Sequence, residues 1–349
     1  MTIPIYNTPV SLPESEYPEI AIHRNTMNGK PVFQIEVKTI INFKSKFGKK
    51  LLCDGYIFSL GSSCAFNCKF CYTPSLIGQH PLVRKLLREH KAQGLTFSDI
   101  VMRRKDPLDI IREQLTIKKP RHVDTNKPCV IFTSPLVDPA ANVILARETL
   151  AACLLILELT AWTIRILSKS NLLHIIAEGI PEKFRHRIIF GYSTGTLDDN
   201  LARSFEQGTA IVSKRIESLR WLQDNGYRTF GMICPNLPQD DYDKFAEEMA
   251  AAIRVDRCER VWAEVINVRG ASLNATVAAL EKGGFNRDSE RLKAVSGAGH
   301  RPAWEEYARQ TFLAHSRVIP PEKLRFLQYV TPKTRTWWTD HVAQGAVLL

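Results

Sequence analysis

The feature that most constrains this chain is Cys64-Ala65-Phe66-Asn67-Cys68-Lys69-Phe70-Cys71-Tyr72, three cysteines spaced four and three residues apart. The stretch follows the apolar run Gly55-Tyr56-Ile57-Phe58-Ser59-Leu60, which places the thiols on a loop directly after a predicted strand. Three thiolates this close can ligate three irons of a cubane [4Fe-4S] cluster, whereas a fourth would close the site. An iron left bare by the protein can bind and reduce a small molecule. Two other readings stay open from the residues alone, a three-ligand zinc site and three unrelated buried thiols. Zinc usually recruits a fourth Cys or His, and the nearest candidate, His80, stands nine residues past Cys71 with no partner near it.

The other five cysteines, Cys53, Cys129, Cys153, Cys234 and Cys258, are scattered singly, which argues against a disulfide framework and against a second cluster. With 349 residues, 44% hydrophobic and 24% charged, the chain can build one barrel-sized domain with extensions or two smaller domains. Its most apolar run, Leu150 to Leu157, is bounded by Arg147-Glu148 and Glu158 and predicts a buried helix rather than a membrane span. The start, MTIPIYNTPV, lacks a basic segment followed by an apolar core, so a cytoplasmic location without membrane contact is expected. The net charge of +11 favours a polyanionic partner or an anionic substrate. Between Val83 and Lys127 stand 12 Lys and Arg against 6 acids, clustered at Arg103-Arg104-Lys105 and Lys118-Lys119-Pro120-Arg121. Such patches also occur on merely solvated helices, so DNA or RNA contact is allowed by the charge and not required by it.

The periodicities predict an α/β architecture. Residues 1–54 read as an N-terminal extension of short strands, with Val32-Phe33-Gln34-Ile35-Glu36-Val37 alternating as in a hairpin. From Gly55, strands are expected at 55–60, 129–133, 162–168, 187–192, 228–234 and 260–267. Helices are expected near 80–92, 107–116, 141–159, 171–178, 211–225 and 241–254. Six such repeats over 55–270 predict parallel βα units with right-handed crossovers, curled into a partial (β/α)6 barrel. A long helical, basic insert covers 72–128, and a helical and irregular C-terminal extension covers 271–349. In barrels the chemistry gathers where the strands end. The residues there are Ser134 after the second strand, Lys169 after the third, Ser193 after the fourth, Cys234 at the end of the fifth, and Asn267 and Arg269 after the sixth. Asn267 and Arg269 can clamp a phosphate or carboxylate of the substrate, or form a structural salt bridge. Near the tail, Lys333-Thr334-Arg335-Thr336-Trp337-Trp338 interleaves basic and stacking side chains, which makes Arg335 and Trp337 candidate substrate contacts; the alternative is ordinary aromatic packing.

The cysteine spacing, with an aromatic, Phe70, before the last Cys, resembles the radical S-adenosylmethionine (SAM) superfamily. Within it, the passage Tyr192-Ser193, Glu206-Gln207-Gly208-Thr209-Ala210, Lys214-Arg215-Ile216, Asn225-Gly226-Tyr227 and Cys234-Pro235-Asn236-Leu237-Pro238 is similar to the spore photoproduct lyase branch, which includes DNA repair photolyase-like proteins. The similarity covers roughly 55–270 and neither end. It implies a [4Fe-4S] cluster on Cys64, Cys68 and Cys71, SAM on the open iron, and a SAM pocket containing Phe70, Ser134, Lys169, Ser193 and Cys234. It also implies an active-site tyrosine at Tyr72 and an external one-electron reductant of the flavodoxin or ferredoxin type. Peptide-modifying relatives often carry a cysteine-rich C-terminal extension, which this chain lacks.

One position departs from the branch. Where the lyase has a cysteine two residues before the serine after the second strand, to return a hydrogen atom to the substrate radical, this chain has Phe132. Cys234 is the other thiol predicted to face the barrel mouth. It can take that role, or serve as a small buried hydrophobe. The resemblance therefore implies a lyase-like enzyme whose cluster cleaves SAM reductively, giving a 5′-deoxyadenosyl radical that abstracts hydrogen from a nucleic acid or nucleotide. A radical SAM enzyme of a peptide or small metabolite, and a nucleic-acid-binding protein with a structural cluster, are the competing readings.

Overall fold

The predicted strands are apolar on both faces because both faces are covered, the pattern of parallel sheets with helices outside. The computed structural model describes residues 26–27, 30–61, 64, 66–77, 88, 100–133, 135–266, 271–296 and 301–349. The strands are β1 (Thr26–Met27), β2 (Lys30–Ile35), β3 (Ile41–Asn42), β4 (Tyr56–Phe58), β5 (Val101–Arg104), β6 (Val130–Thr133), β7 (Thr163–Ser168), β8 (Ile188–Thr194), β9 (Arg228–Asn236), β10 (Val261–Val265), β11 (Leu324–Gln328) and β12 (Ala346–Leu348). Nine of them form one sheet in the order β12-β11-β10-β9-β8-β7-β6-β4-β3. All its neighbouring pairs are parallel except β3 with β4.

Outward-facing Phe58, Ile131, Ile164, Ile166, Phe190 and Ile233 pack into one large core with helices such as Val143–Leu159 and Val212–Asp224. Inward-facing Phe132, Ile189, Phe230, Met232, Trp262 and Leu327 form a second core, joined by Leu52 and Cys53 from the segment before β4. That segment closes the N-terminal end of the sheet. Arg165 of β7, buried, donates to the Leu52 carbonyl at 2.5 Å, and its guanidinium lies 4.7 Å from the Trp262 ring centroid.

The six expected parallel strands are all present. Two more, β11 and β12, carry the sheet into the C-terminal extension, which the sequence reading treated as helical and irregular. Helices Ser272–Lys282 and Asn286–Ser296 open that extension. The insert holds the strand β5, which pairs parallel with β2 in a separate three-stranded sheet. Two cations of the first basic cluster sit on that strand rather than on a helix. Arg103 is ion-paired with Glu148, Arg104 donates to the Thr39 carbonyl at 3.0 Å, and Lys105 meets Glu36 at 3.2 Å. Arg103 and Arg104 are therefore engaged within the protein, while Lys105 and Glu36 pair at the surface. The helix expected near 80–92 lies outside the described residues apart from Arg88.

Candidate active site

The cysteine loop begins at the C-terminal end of β4. Gly61, on its threshold, bridges to Arg103 of β5; a Cβ at Gly61 would stand 2.7 Å from the Met102 carbonyl oxygen, so only glycine allows that approach. Cys64 and Cys68 rest against a small apolar cluster of Phe66, Val101, Val137, Ala141 and Leu145. Asn67 takes the left-handed conformation (φ +52°), which asparagine tolerates better than most residues. The loop is clamped from the far side, the Lys69 amide donating to the Phe205 carbonyl (2.8 Å) and the Gly208 amide to the Phe66 carbonyl (3.1 Å). Backbone amides of Phe66 and Asp138 point at the Cys64 sulfur, and the Thr73 amide lies 3.4 Å from Cys71 Sγ. Burial pushes the Cys64 thiol up to about 12 and raises Cys68 well above its ordinary value, so their thiolates need a positive partner. All three thiols are half-buried.

Opposite the loop, Lys169 follows β7. Its Nζ meets Glu206 Oε1 at 2.7 Å and donates to the carbonyls of Cys234 (3.2 Å) and Ser193 (3.3 Å). Glu206 follows the helix Asp199–Phe205, whose N-terminus is capped by the Asp198 carboxylate. Its other oxygen is bound by Arg215, which also donates to the Ser193 carbonyl (2.8 Å), Thr209 Oγ1 (2.9 Å) and the Ala210 carbonyl (2.7 Å). Burial alone would raise the Glu206 carboxyl, but the charges of Lys169 and Arg215 outweigh it and hold the group below its usual range. Lys169 and Arg215 thus face Glu206, with the Asp138 carboxylate beside Lys169. Asp138 fixes the neighbouring turn, accepting from Ser168 Oγ and the Lys169 amide at 2.7 Å each.

Phe70 packs edge-on against Phe205 with centroids 5.8 Å apart, and Lys169 Nζ lies 5.2 Å from the Phe70 ring centroid. The Tyr72 phenol donates to the Pro135 carbonyl at 2.7 Å, and burial pushes it well above its ordinary range. Ser193 Oγ donates to the Cys234 carbonyl at 3.1 Å. The Cys234 side chain is half-buried among the inner-face residues, and burial pushes its thiol up to about 12. A Cβ on Gly195 would fall 1.8 Å from the Pro235 carbonyl oxygen, so glycine is what lets the turn after Cys234 close onto β8.

The structure thus gathers Cys64, Cys68, Cys71, Phe70, Tyr72, Lys169, Ser193 and Cys234 around one mouth. Ser134, Asn267 and Arg269 lie outside the described residues. Arg335 and Trp337 are elsewhere. Arg335 is exposed at the start of the helix Arg335–Asp340; Trp337 stacks on His341 (3.8 Å between centroids) beneath Arg309 and edges onto Phe312 and Trp338. Its faces are taken up by C-terminal packing, so the basic–aromatic alternation does not present it as a stacking platform. Sequence reasoning did not assign Glu206 and Arg215 to the site, because their pairing with Lys169 is tertiary. It also missed Lys50, Glu264 and Tyr329 on the inner face, for which no local pattern exists. A groove of about 570 Å³, lined by Leu197, Val212, Ile216 and Trp221, shares no lining residue with this mouth.

No protein-family model and no curated protein matches the sequence. Among solved structures, spore photoproduct lyase complexed with dinucleoside spore photoproduct is similar, with 15% identity and a TM-score of 0.50 over 73% of this chain and 68% of that one. A mutant of the same lyase matches with a TM-score of 0.51 at 15% identity and the same coverage. The chain therefore shares the fold of that enzyme.

Proposed function

We propose that the chain is a radical SAM enzyme with lyase-like chemistry, in which Cys64, Cys68 and Cys71 hold a [4Fe-4S] cluster and S-adenosylmethionine occupies its open iron. The substrate on this reading is a nucleic acid or nucleotide, in lesion repair or modification. The observation that carries the reading is the clamped loop presenting three thiols at the ends of the parallel strands, with backbone amides directed at two of the sulfurs. Among the described residues no three His, Cys, Asp or Glu side chains converge on a position for a single metal ion. A cubane fits that arrangement better than zinc does, because it spreads its thiolates over three separate iron corners. Amides aimed at the sulfurs also stabilise thiolate charge and tune the cluster's potential.

When bound, the two groups together supply one-electron cleavage of a sulfonium and a carbon radical able to take hydrogen from an unreactive C–H bond. The protein's residues do the rest. Lys169, anchored by Glu206, would offer its ammonium to the SAM carboxylate, and Phe70 and Ser193 stand beside it. Tyr72, tied to the Pro135 carbonyl, fixes the wall beside Cys71. With Phe132 in the position of the lyase's donor cysteine, Cys234 is the hydrogen donor. Its raised titration keeps the sulfur protonated at neutral pH, as an S–H donor must be. An external flavodoxin- or ferredoxin-type protein supplies electrons.

The test is anaerobic reconstitution followed by incubation with dithionite and SAM. Release of 5′-deoxyadenosine is expected; a protein that takes up zinc instead, or releases none, overturns the reading. For Cys234, deuterium from heavy water should enter the product of the intact enzyme and not that of Cys234→Ala. Unchanged incorporation removes the role.

A further inference from the structure

At the end of the strands opposite the mouth, the inner face of the sheet carries arginines that the chemistry proposed above does not use. Along β9, Phe230 and Met232 face inward, so Arg228 shares that face. The same alternation puts Arg260 there, just before β10 and ahead of Trp262, and Arg325 of β11, ahead of Leu327. Register makes them neighbours. Gly231 pairs with Val261, which sets Arg260 beside Phe230, and Trp262 pairs with Arg325. Arg165 of β7 reaches the same two rings, its guanidinium 5.6 Å from the Phe230 centroid and 4.7 Å from that of Trp262.

These arginines differ in what they hold. Arg228 is occupied, its Nε and Nη2 bound by Glu259 and its Nη1 by the His186 carbonyl. Arg165 donates through Nη1 to the Leu51 and Leu52 carbonyls; it is 8% exposed, and its Nε has no partner. Glu259 and Asp54 are the carboxylates whose charges reach it. Arg260 and Arg325 are half-buried and meet no carboxylate among the described residues. Arg260 donates to the Glu259 carbonyl at 2.7 Å, and Arg325 to the carbonyls of Leu324 (2.5 Å) and Pro321 (3.3 Å). Burial and the charge of Arg260 both lower the Arg325 titration. Two neighbouring guanidiniums partly out of water and without a counter-ion are unfavourable until an anion joins them. Each keeps further N–H donors in a planar fork, the geometry that matches phosphate oxygens.

We propose that Arg260 and Arg325 form a binding site for a phosphate monoester at this lower rim, with the Arg165 charge behind them. A monoester carries close to two negative charges and three acceptor oxygens, enough for both forks; a phosphodiester of a nucleic-acid backbone offers two free oxygens and one charge. The site opens to solvent, since the flanking Arg228 and Glu259 side chains are 37% and 33% exposed. It is separate from the mouth. From Arg228 to Cys234 the strand advances about 20 Å, and Phe230, Met232 and Trp262 fill the inner face between. The ligand is therefore a second molecule, distinct from the substrate, and its binding does not depend on the radical chemistry.

The test is titration calorimetry of the full chain, without cluster or SAM, with inorganic phosphate at an ionic strength held constant by chloride. We expect one phosphate per chain. Arg260→Ala and Arg325→Ala should each weaken it at least about tenfold, the scale of one charge-assisted contact. Arg260→Lys keeps the charge but loses the fork, and should bind more weakly than the unaltered protein and more tightly than Arg260→Ala; it also serves if the alanine variant does not fold. Arg203→Ala, exposed on the helix Asp199–Phe205, should bind as the unaltered protein does. Absence of binding beyond the chloride background, or binding that survives loss of either arginine, overturns the proposal. So does displacement of phosphate by an oligothymidylate lacking a terminal phosphate, which would assign the arginines to a nucleic-acid backbone.

Discussion

The two sides of the mouth are built on opposite principles. On the β7–β8 side, Lys169 has three acceptors for its three hydrogens, Glu206 is bound at both oxygens, and Arg215 meets two carbonyls, a hydroxyl and a carboxylate. On the β10–β11 side, the Lys50 ammonium meets the two oxygens of Glu264, with the Tyr329 ring centroid 5.6 Å away. A saturated network holds a fixed shape and charge.

The largest effect that would break this comparison belongs to the loop between the two sides. Cys64→Ala, Cys68→Ala and Cys71→Ala should each abolish the brown chromophore and 5′-deoxyadenosine release. Cys153→Ala, whose thiol is sealed in the outer core, should abolish neither. Iron and sulfide assays with product chromatography decide the matter.

Next in size, Glu206→Gln strands a guanidinium whose side chain is 1% exposed, and should cost about 3–5 kcal/mol in urea unfolding. Glu264→Gln leaves an ammonium whose side chain is 18% exposed and better able to reach water, so its cost should be less than half as large. Equal losses would erase the distinction between the two sides. Gly195→Ala should cost about 2 kcal/mol, because the added Cβ meets backbone rather than a movable side chain.

The smallest effect concerns what supports the open side from behind. Asn236 is fully buried. Its Nδ2 donates to the Glu264 carbonyl at 3.1 Å, and His315 Nε2 lies 3.0 Å from its Oδ1. Burial lowers the His315 titration to about 4 against an ordinary value of about 6.5. The folded state thus disfavours the proton, and this contribution to stability is complete above about pH 6.5 and is lost as pH falls toward about 4. Glu206, also depressed, contributes fully above the ordinary carboxylate value of about 4.3 and loses its contribution only below it. Stability should therefore decline with acid in two stages. His315→Gln, which keeps an N–H for Asn236, should remove the first stage. A single decline below about pH 4 in the unaltered protein would show that His315 does not couple to folding.

Legibility followed the locality of the cause. The six parallel strands were readable because burial on both faces leaves continuous apolar runs separated by amphipathic helices. β11 and β12 were not, since Leu324–Gln328 carries Arg325 within a short run and Ala346–Leu348 has three residues. β5 was hidden because Arg103 and Arg104 read as surface charge, and only the partners Glu148 and Thr39 explain them. Lys169, Ser193 and Cys234 could be placed at the mouth because each ends a recognisable strand. Lys50 lies 214 residues from Glu264, and nothing in either neighbourhood announces the other.

What the sequence determined by itself is the iron-binding chemistry of the three cysteines as an expectation and the alternation that makes a parallel sheet, because spacing and periodicity act over a few residues. What only the tertiary structure decided is which charges meet. Lys169 with Glu206 and Arg215, and Lys50 with Glu264, are brought together by neighbouring strands and by the segment closing the sheet's lower end. An ion pair depends on distance in space, which the order of residues along the chain does not record.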